Sequence, residues 1–192
     1  HLYVENNHFR GAYYYSMYIR YNDYTTVLDN LFEDWGNQYN YAFYFYYCDD
    51  FEIDNNVVDG SYYCTYFYYG ERAKITNNII RGDYYGLRFY RHGNSGDTTW
   101  VYNNMVSASG YYSYYHYYNE GVLVYHNSFL TTGSGFYGFY ASQGSDNEFV
   151  NNSVLVNTSG YYALYNYYGF DVMDYNNYYF PGNNNYFAYV DG

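Results

Sequence analysis

Apolar and polar residues follow each other in a short motif that recurs along the whole chain. The motif is an apolar residue, two variable residues, Asn, one variable residue and a second apolar residue, as in Ile53–Val58 and Ile75–Ile80. A period of 22 to 26 residues separates its asparagines, and such a period is typical of a solenoid with one structural unit per step. The asparagines are Asn7, Asn30, Asn56, Asn78, Asn104, Asn127, Asn152 and Asn176.

A second motif follows each asparagine and reads aromatic, aromatic, small, apolar and then usually Tyr, as in Tyr161–Tyr165. Each repeat therefore holds two short runs of strand-forming residues, divided by Asn, Gly and Ser. No helical period competes, and the single Pro leaves the strands uninterrupted. We predict an all-β fold, a right-handed parallel β-helix of about eight coils of ~24 residues. Residues 1–192 would form one domain, which we expect to be a fragment of a longer chain.

The recurring Asn has a physical reason in such a fold. Equivalent residues of successive coils stack about 4.8 Å apart. An Asn at a tight bend can hydrogen-bond its own backbone and the Asn of the next coil, and it tolerates a left-handed backbone. We therefore expect the eight asparagines to form a structural ladder inside one corner.

Strand alternation predicts which side chains of the second run point inward. The residues on either side of the small residue should face the core, and the small residue itself and the residue two after it should face outward. The predicted inward rows are Tyr15, Tyr41, Tyr63, Tyr85, Tyr112, Tyr137, Tyr162, Phe187 and Met17, Phe43, Thr65, Leu87, Tyr114, Phe139, Leu164, Tyr189. The predicted outward row is Tyr18, Tyr44, Tyr66, Arg88, Tyr115, Tyr140, Tyr165 and Val190.

The six tyrosines of this outward row admit two interpretations. Ring stacking between coils would make them structural. An exposed aromatic stripe would instead bind glycans or a protein partner. With 40 Tyr in 192 residues, the composition suits both.

Charge and cysteine content argue against several classes of partner and of metal site. The net charge of −12, from 7 basic and 19 acidic residues, argues against nucleic acid and anionic membranes as partners. The chain has no run of about 18 apolar residues, so we expect no membrane span. Cys48 and Cys64 lack metal-ligand spacing, so we expect free thiols and no zinc site.

An active site has weak candidates in the middle coils. Asp49, Asp50 and Asp54 are the acidic group, and Arg88 and Arg91 belong to the basic group. Paired carboxylates in an outward groove would suit a polysaccharide lyase or glycoside hydrolase. Asp49 and Asp50 with their neighbours could also hold calcium, although we otherwise expect no cofactor.

A structural interpretation of these charges competes. The third residue after successive asparagines reads Arg10, Glu33, Asp59 and Arg81. Adjacent coils would then pair Arg10 with Glu33 and Asp59 with Arg81, as on an ordinary solenoid surface.

The paired-Asn motif with strands such as Tyr85–Phe89 resembles right-handed parallel β-helix repeat proteins. Segments such as Asp174–Tyr179 resemble Tyr-rich secreted and surface proteins of the Bacteroidota. That resemblance implies export through the type nine secretion machinery and an extracellular or cell-surface location.

Two functions remain open. The first is a non-enzymatic stalk, filament or adhesin segment of an exported protein, a stiff rod that displays side chains at fixed spacing toward a polysaccharide or another surface protein. The alternative is a carbohydrate-active enzyme or glycan-binding domain. Charges paired from coil to coil favour the first, and a groove with convergent acids favours the second.

Overall fold

The computed structural model describes residues 1–33, 39–133 and 135–191. Every regular element in these ranges is a β-strand. In chain order they are β1 (Leu2–Glu5), β2 (His8–Arg10), β3 (Tyr15–Arg20), β4 (Thr25–Leu28), β5 (Leu31–Glu33), β6 (Tyr41–Tyr46), β7 (Glu52–Asp54), β8 (Val57–Tyr68), β9 (Lys74–Thr76), β10 (Ile79–Tyr90), β11 (Thr99–Tyr102), β12 (Met105–Ala108), β13 (Tyr112–Glu120), β14 (Val122–Tyr125), β15 (Ser128–Gly133), β16 (Tyr137–Ser145), β17 (Glu148–Val150), β18 (Ser153–Thr158), β19 (Tyr162–Tyr167), β20 (Val172–Asp174), β21 (Asn177–Tyr179) and β22 (Tyr186–Asp191).

All strand pairs are parallel and join each coil to the next, which confirms the predicted parallel β-helix. One sheet has eight strands in the order β1-β4-β7-β9-β11-β14-β17-β20, so about seven turns separate its two edges. The second sheet has 14 strands and forms the other two sides of each coil, which β8 and β10 span without a break. Parallel pairing with one repeat per coil follows from the near-constant period. The right-handed sense stays a prediction, supported by the general handedness of parallel crossovers.

Most coils contain three strands, although the sequence predicted two runs; in the coils of β8 and β10 the second and third strands are continuous. The first predicted run is divided at the ladder asparagine, because the residue before it has a left-handed backbone. Asn55, for example, has φ +53° and turns the chain from β7 into β8. The left-handed conformation thus lies one residue before the ladder position, where Asp29, His126 and Tyr175 also adopt it.

The second predicted run bends at its small residue. The parallel register pairs Tyr41 with Tyr63 and Phe43 with Thr65 but skips the small residues between them. Ala42 and Phe43 are consequently both buried, as in a bulge. The prediction that the small residue points outward is wrong, because the bend breaks strict alternation.

The same bend overturns one predicted inward row. Tyr15 is 44% exposed and Tyr41, Tyr63 and Tyr85 are half-buried, whereas only Tyr112 of this row is buried. The row lies at the surface beside the predicted outward row. The other inward row is correct from Met17 to Leu164, all of whose members are buried.

The last coil is shifted by one residue from the prediction. Strand β22 pairs Tyr186 with Tyr162, Ala188 with Leu164 and Tyr189 with Tyr165. Phe187, Tyr189 and Val190 therefore do not hold the positions predicted for them. The small residue Ala188 lies one position later in this coil than Ala163 does in the preceding one, and Phe187 takes the place equivalent to Ala163.

Columns of apolar side chains fill the interior. Val27, Ile53 and Ile75 stack in one column, and Phe45, Phe67 and Phe89 stack in another. These six side chains are at most 1% exposed. Among the described residues there is no helix that could span a membrane.

Candidate functional site

The ladder asparagines form one hydrogen-bonded column. The Oδ1 atom of Asn30 accepts from the backbone N–H of Asn7 at 2.9 Å, and Asn152 and Asn176 make the same contact at 2.8 Å at the other end. The inner members from Asn30 to Asn152 are almost fully buried. The column satisfies the hydrogen-bonding groups of these amides inside the coils, so the ladder asparagines have a structural role.

A charged cluster lies at the turns that precede strands β7, β9 and β11. The guanidinium of Arg72 contacts Asp50 at 2.8 Å, Glu71 at 2.8 Å, Asp97 at 3.2 Å and Asp49 at 3.8 Å. Four carboxylates from three successive coils thus share one cation.

The pKa values in this charged cluster diverge for two physical reasons. The Arg72 guanidinium holds the pKa of Asp50 below its ordinary value. Burial raises the pKa of Asp49, with Arg72 opposing the shift. Burial and then a hydrogen bond with the Asp97 carboxyl raise the pKa of Glu71. The cluster therefore contains groups that hold a proton more readily than ordinary carboxylates.

A shallow groove of about 260 Å³ adjoins the charged cluster. It is lined by Tyr47, Asp49, Tyr69, Gly70, Glu71, Arg91, Gly93 and Asn94. The polar atoms at its floor are engaged: Asp49 accepts the Glu71 backbone N–H at 3.0 Å, and Glu71 accepts from the Asn94 side chain. A predicted acidic and a predicted basic candidate meet in this groove, Asp49 and Arg91.

The other catalytic candidates lie elsewhere. Asp54 is at the ladder corner, where it accepts from the Thr76 hydroxyl and from the Asn77 side chain at 2.8 Å. Arg88 lies among tyrosines of the outward row. The structure therefore does not bring the five candidates together.

Sequence reasoning missed Glu71, Arg72 and Asp97 as members of the charged cluster. One signal was available in the sequence. Asp50 and Arg72 lie just before β7 and β9, the first strands of their coils, and their charges are opposite. Both also have a left-handed backbone, at φ +50° and +49°. The predicted pairs Arg10–Glu33, at 2.9 Å, and Arg81–Asp59, at 3.8 Å, are confirmed.

Three parallel rows of side chains form what we call the tyrosine face. The first row is Tyr15, Tyr41, Tyr63, Tyr85, Tyr112, Tyr137, Tyr162 and Tyr186. The second row is Tyr18, Tyr44, Tyr66, Arg88, Tyr115, Tyr140, Tyr165 and Tyr189. The third row is Arg20, Tyr46, Tyr68, Tyr90, Tyr117, Ser142, Tyr167 and Asp191.

Many rings of the tyrosine face stack along the axis of the solenoid, although Tyr44 meets Tyr18 and Tyr66 edge to face. Tyr140 is 5.1 Å from Tyr115 and 5.2 Å from Tyr165 between ring centroids, with planes 12° and 7° apart. Tyr137 and Tyr162 are 4° from parallel. In these stacks the neighbouring coils cover the ring faces that a sugar would need, and the stacked rings present mainly their edges and hydroxyl groups.

Arg88 interrupts the second row of the tyrosine face. Its guanidinium carbon lies 4.1 Å from the ring centroid of Tyr66, 5.0 Å from Tyr85 and 5.2 Å from Tyr115. The Nε atom is buried without a hydrogen-bond partner. The positive charge also lowers the pKa of the surrounding phenols against the upward effect of burial, although burial still raises that of Tyr66 to about 12.

Two histidines and both cysteines are buried in the coils. His92 and His116 are buried, and burial lowers the pKa of each to about 3, so both are neutral at physiological pH. The thiols of Cys48 and Cys64 are buried and each lies near a backbone carbonyl.

One comparison with known proteins identifies a family. The family model described as "Periplasmic copper-binding protein (NosD)" matches residues 1–115 and 36–192. No curated protein and no solved structure matches the chain.

The residues present do not fit the copper named in that description. Among the described residues, no three His, Cys, Asp or Glu side chains come together as metal ligands. The unpartnered Nδ1 of His92 lies toward Gly70 in the preceding coil, while the His116 ring packs 4.7 Å from Phe170 in a later coil. The two imidazoles are close enough for their charges to interact, but no third ligand joins them among the described residues. The same observation leaves the calcium suggested for Asp49 and Asp50 without a ligand set in this part of the chain.

Proposed function

The chain belongs to the NosD family, and from that premise we propose that it is a non-enzymatic structural segment of an exported protein. It would act as a stalk, filament or adhesin segment, with residues 1–192 forming one domain of a longer chain. The family description names a periplasmic protein, which supports export. Location at the cell surface and passage through the type nine secretion machinery are finer parts of the same proposal.

One observation carries this proposal: the candidate catalytic carboxylates hold neighbouring coils together. Asp49 accepts a backbone N–H of the next coil, Asp50 pairs with Arg72, and Asp54 bonds Thr76 and Asn77. A carboxylate that is committed to such contacts is poorly placed to act on a substrate. Stacked coils with these cross-links form a stiff rod.

The tyrosine face would serve as the attachment surface of the rod. The residues proposed to bind are Tyr18, Tyr44, Tyr66, Tyr115, Tyr140 and Tyr165, the tyrosines predicted for the outward row. Their equal spacing along the axis suits a partner that makes the same weak contact many times.

A deletion of one coil tests the structural role. Removal of residues 57–78 joins Asn56 to Ile79. Val57 and Ile79 are equivalent in the parallel register, so the coils on both sides of the deletion keep their register. We expect a folded chain whose long axis in small-angle X-ray scattering is about 5 Å shorter. A deletion of residues 57–67, half a coil, is the matched control and should not fold. Failure of both deletions to fold would contradict the modular rod.

The groove beside the charged cluster supports a second candidate, a carbohydrate-active enzyme. Asp49 and Glu71 line it, and burial raises the pKa of both. Incubation with alginate or polygalacturonate, followed by measurement of new reducing ends or unsaturated products, tests this candidate. Product formation that disappears in Glu71→Gln, but not in Glu33→Gln outside the groove, would establish catalysis in place of the structural role.

A further inference from the structure

The arginines and lysine of this chain fall into two groups according to their partners. Four of them pair with a carboxylate of an adjacent coil or turn: Arg10 with Glu33, Arg72 with Asp50, Lys74 with Glu52 and Arg81 with Asp59. The other three are Arg20, Arg88 and Arg91. Among the described carboxylates, none lies within ion-pair distance of these three.

All three arginines without a described carboxylate partner lie against tyrosine rings. Arg88 is in the second row of the tyrosine face, and Arg20 is in the third row. Arg91 directly follows Tyr90 of the third row and lies 5.6 Å from the ring centroids of Tyr90 and Tyr118. Asp191 is the one acidic residue in the three rows, and it lies at their end.

This distribution gives the tyrosine face a local charge opposite to that of the whole molecule. The chain carries a net charge of −12, yet Arg88 in the middle of this face has no described carboxylate within ion-pair distance. Arg91, at the edge of the face, shares its groove with Asp49 and Glu71 but forms an ion pair with neither among the described residues.

A guanidinium against aromatic rings is weakly hydrated and can donate a fork of hydrogen bonds to a carboxylate or sulfate. One donor of Arg91 is engaged by the Tyr69 hydroxyl at 2.6 Å and one of Arg20 by the Tyr21 hydroxyl at 3.2 Å, which leaves their other N–H groups for a ligand. Charge complementarity therefore points to an anionic partner.

The remaining chemistry of the face indicates a hydroxyl-rich polymer. Stacked neighbours cover the ring faces, as for Tyr115, Tyr140 and Tyr165. No described tyrosine hydroxyl is a buried atom without a partner, so these hydroxyls reach solvent or already have a partner. Rows of phenols that repeat about every 4.8 Å match a linear polymer better than the irregular surface of a folded protein.

We propose that the tyrosine face binds an extended acidic polysaccharide. Its carboxylate or sulfate groups would pair with Arg88 and Arg91, and its hydroxyls would exchange hydrogen bonds with the phenol rows. The inference rests on the proposed function, because it names the partner of the attachment surface.

Titration calorimetry with four polymers tests the proposal. Alginate carries carboxylates, dextran sulfate carries sulfates, dextran is neutral and poly-L-glutamate is an anionic polypeptide. We expect alginate or dextran sulfate to bind at least about 10-fold more tightly than dextran and poly-L-glutamate, and the arm that binds identifies the anionic group. Equal binding of dextran would overturn the role of charge. Equal or tighter binding of poly-L-glutamate would indicate an acidic protein partner instead, and absence of binding to all four would also overturn the proposal.

Two variants locate the site. Arg88→Gln should weaken binding about 10-fold, as expected for the loss of a charge-assisted hydrogen bond. Arg81→Gln removes the same charge from an arginine that pairs with Asp59 away from the face, and should change affinity less than about 2-fold. Equal losses in the two variants would contradict the assigned site. If Arg88→Gln fails to fold, Arg91→Gln gives the same test at an exposed arginine.

The outcomes for the two proposals are separable. A coil-deleted chain that folds at the expected length, together with no binding to any polymer, would leave the structural role intact and remove only the polysaccharide. Product release from alginate would instead displace the structural role itself.

Discussion

Each inner ladder asparagine connects three coils through one side-chain amide. The Oδ1 atom of Asn78 accepts from the backbone N–H and the side chain of Asn56, at 2.9 and 3.1 Å. Its Nδ2 atom donates to the Ile53 carbonyl of the preceding coil at 2.9 Å and to Asn104 of the following coil at 3.0 Å. All these groups are shielded from water, so no solvent molecule replaces a lost partner.

Replacement of Asn78 by Ala should lower the free energy of unfolding by about 3 kcal/mol, because it leaves the Asn56 N–H buried without its partner and removes the other hydrogen bonds of the Asn78 amide. Urea denaturation measures the loss. Asn176→Ala is the control at the end of the described ladder, where the side chain is partly exposed and the cost should be about 1 kcal/mol. Equal losses at the two positions would show that the column does not act through burial.

Across strands, the tyrosine rows contribute to stability whether or not they also bind a partner. Tyr140 on β16 stacks on Tyr115 of β13 and on Tyr165 of β19. Aromatic pairs of this geometry contribute about 0.5–1.5 kcal/mol each beyond the area that they bury. A row of such pairs therefore joins successive strands in addition to their backbone hydrogen bonds.

Loss of one ring should be measurable in denaturant unfolding. We expect Tyr140→Leu to lower the free energy of unfolding by about 2 kcal/mol, because two stacked pairs disappear while a side chain of moderate size remains. Tyr140→Phe keeps the ring and should stay within about 0.5 kcal/mol of the parent chain. If both variants lose the same amount, the hydroxyl rather than the stacked ring stabilises the row.

The pH dependence of the free energy of unfolding is a property of the whole molecule, because two imidazoles lie inside the coils. Burial lowers the pKa of His92 and His116 to about 3, whereas an imidazole in an unfolded chain has a pKa of about 6.5. Between these values the unfolded chain binds more protons than the folded one. Stability is therefore complete above pH 6.5 and falls as the pH decreases through this window.

A pair of variants isolates this effect from that of the carboxylates. Tyr114→Phe removes the hydroxyl that contacts Nδ1 of His116 at 3.1 Å, and the double variant Tyr114→Phe with His116→Phe also removes the imidazole. Phe suits position 116 because Phe89 occupies the equivalent position in the preceding coil. The melting temperature of the double variant should fall less between pH 6.5 and 4 than that of Tyr114→Phe. Parallel pH profiles would show that His116 does not control acid stability.

Much of the fold could be predicted because one signal repeats in every coil. The spacing of Asn56, Asn78 and Asn104 indicated both the period and the position of an inner corner, since a polar residue that recurs at one solenoid position must find its partners in the column. Strand alternation predicted the buried row from Met17 to Leu164, because the backbone after the small residue remains a regular strand.

The sequence by itself determined the parallel solenoid and the pairs Arg10–Glu33 and Asp59–Arg81, because these depend only on the repeat. The tertiary structure decided the surface position of the Tyr15–Tyr186 row, since a local bend at the small residue reverses the expected side. It also decided the charged cluster around Arg72, because its acids come from turns of different lengths. Contacts between such turns depend on how successive coils align in space, and spacing along the chain does not contain that information.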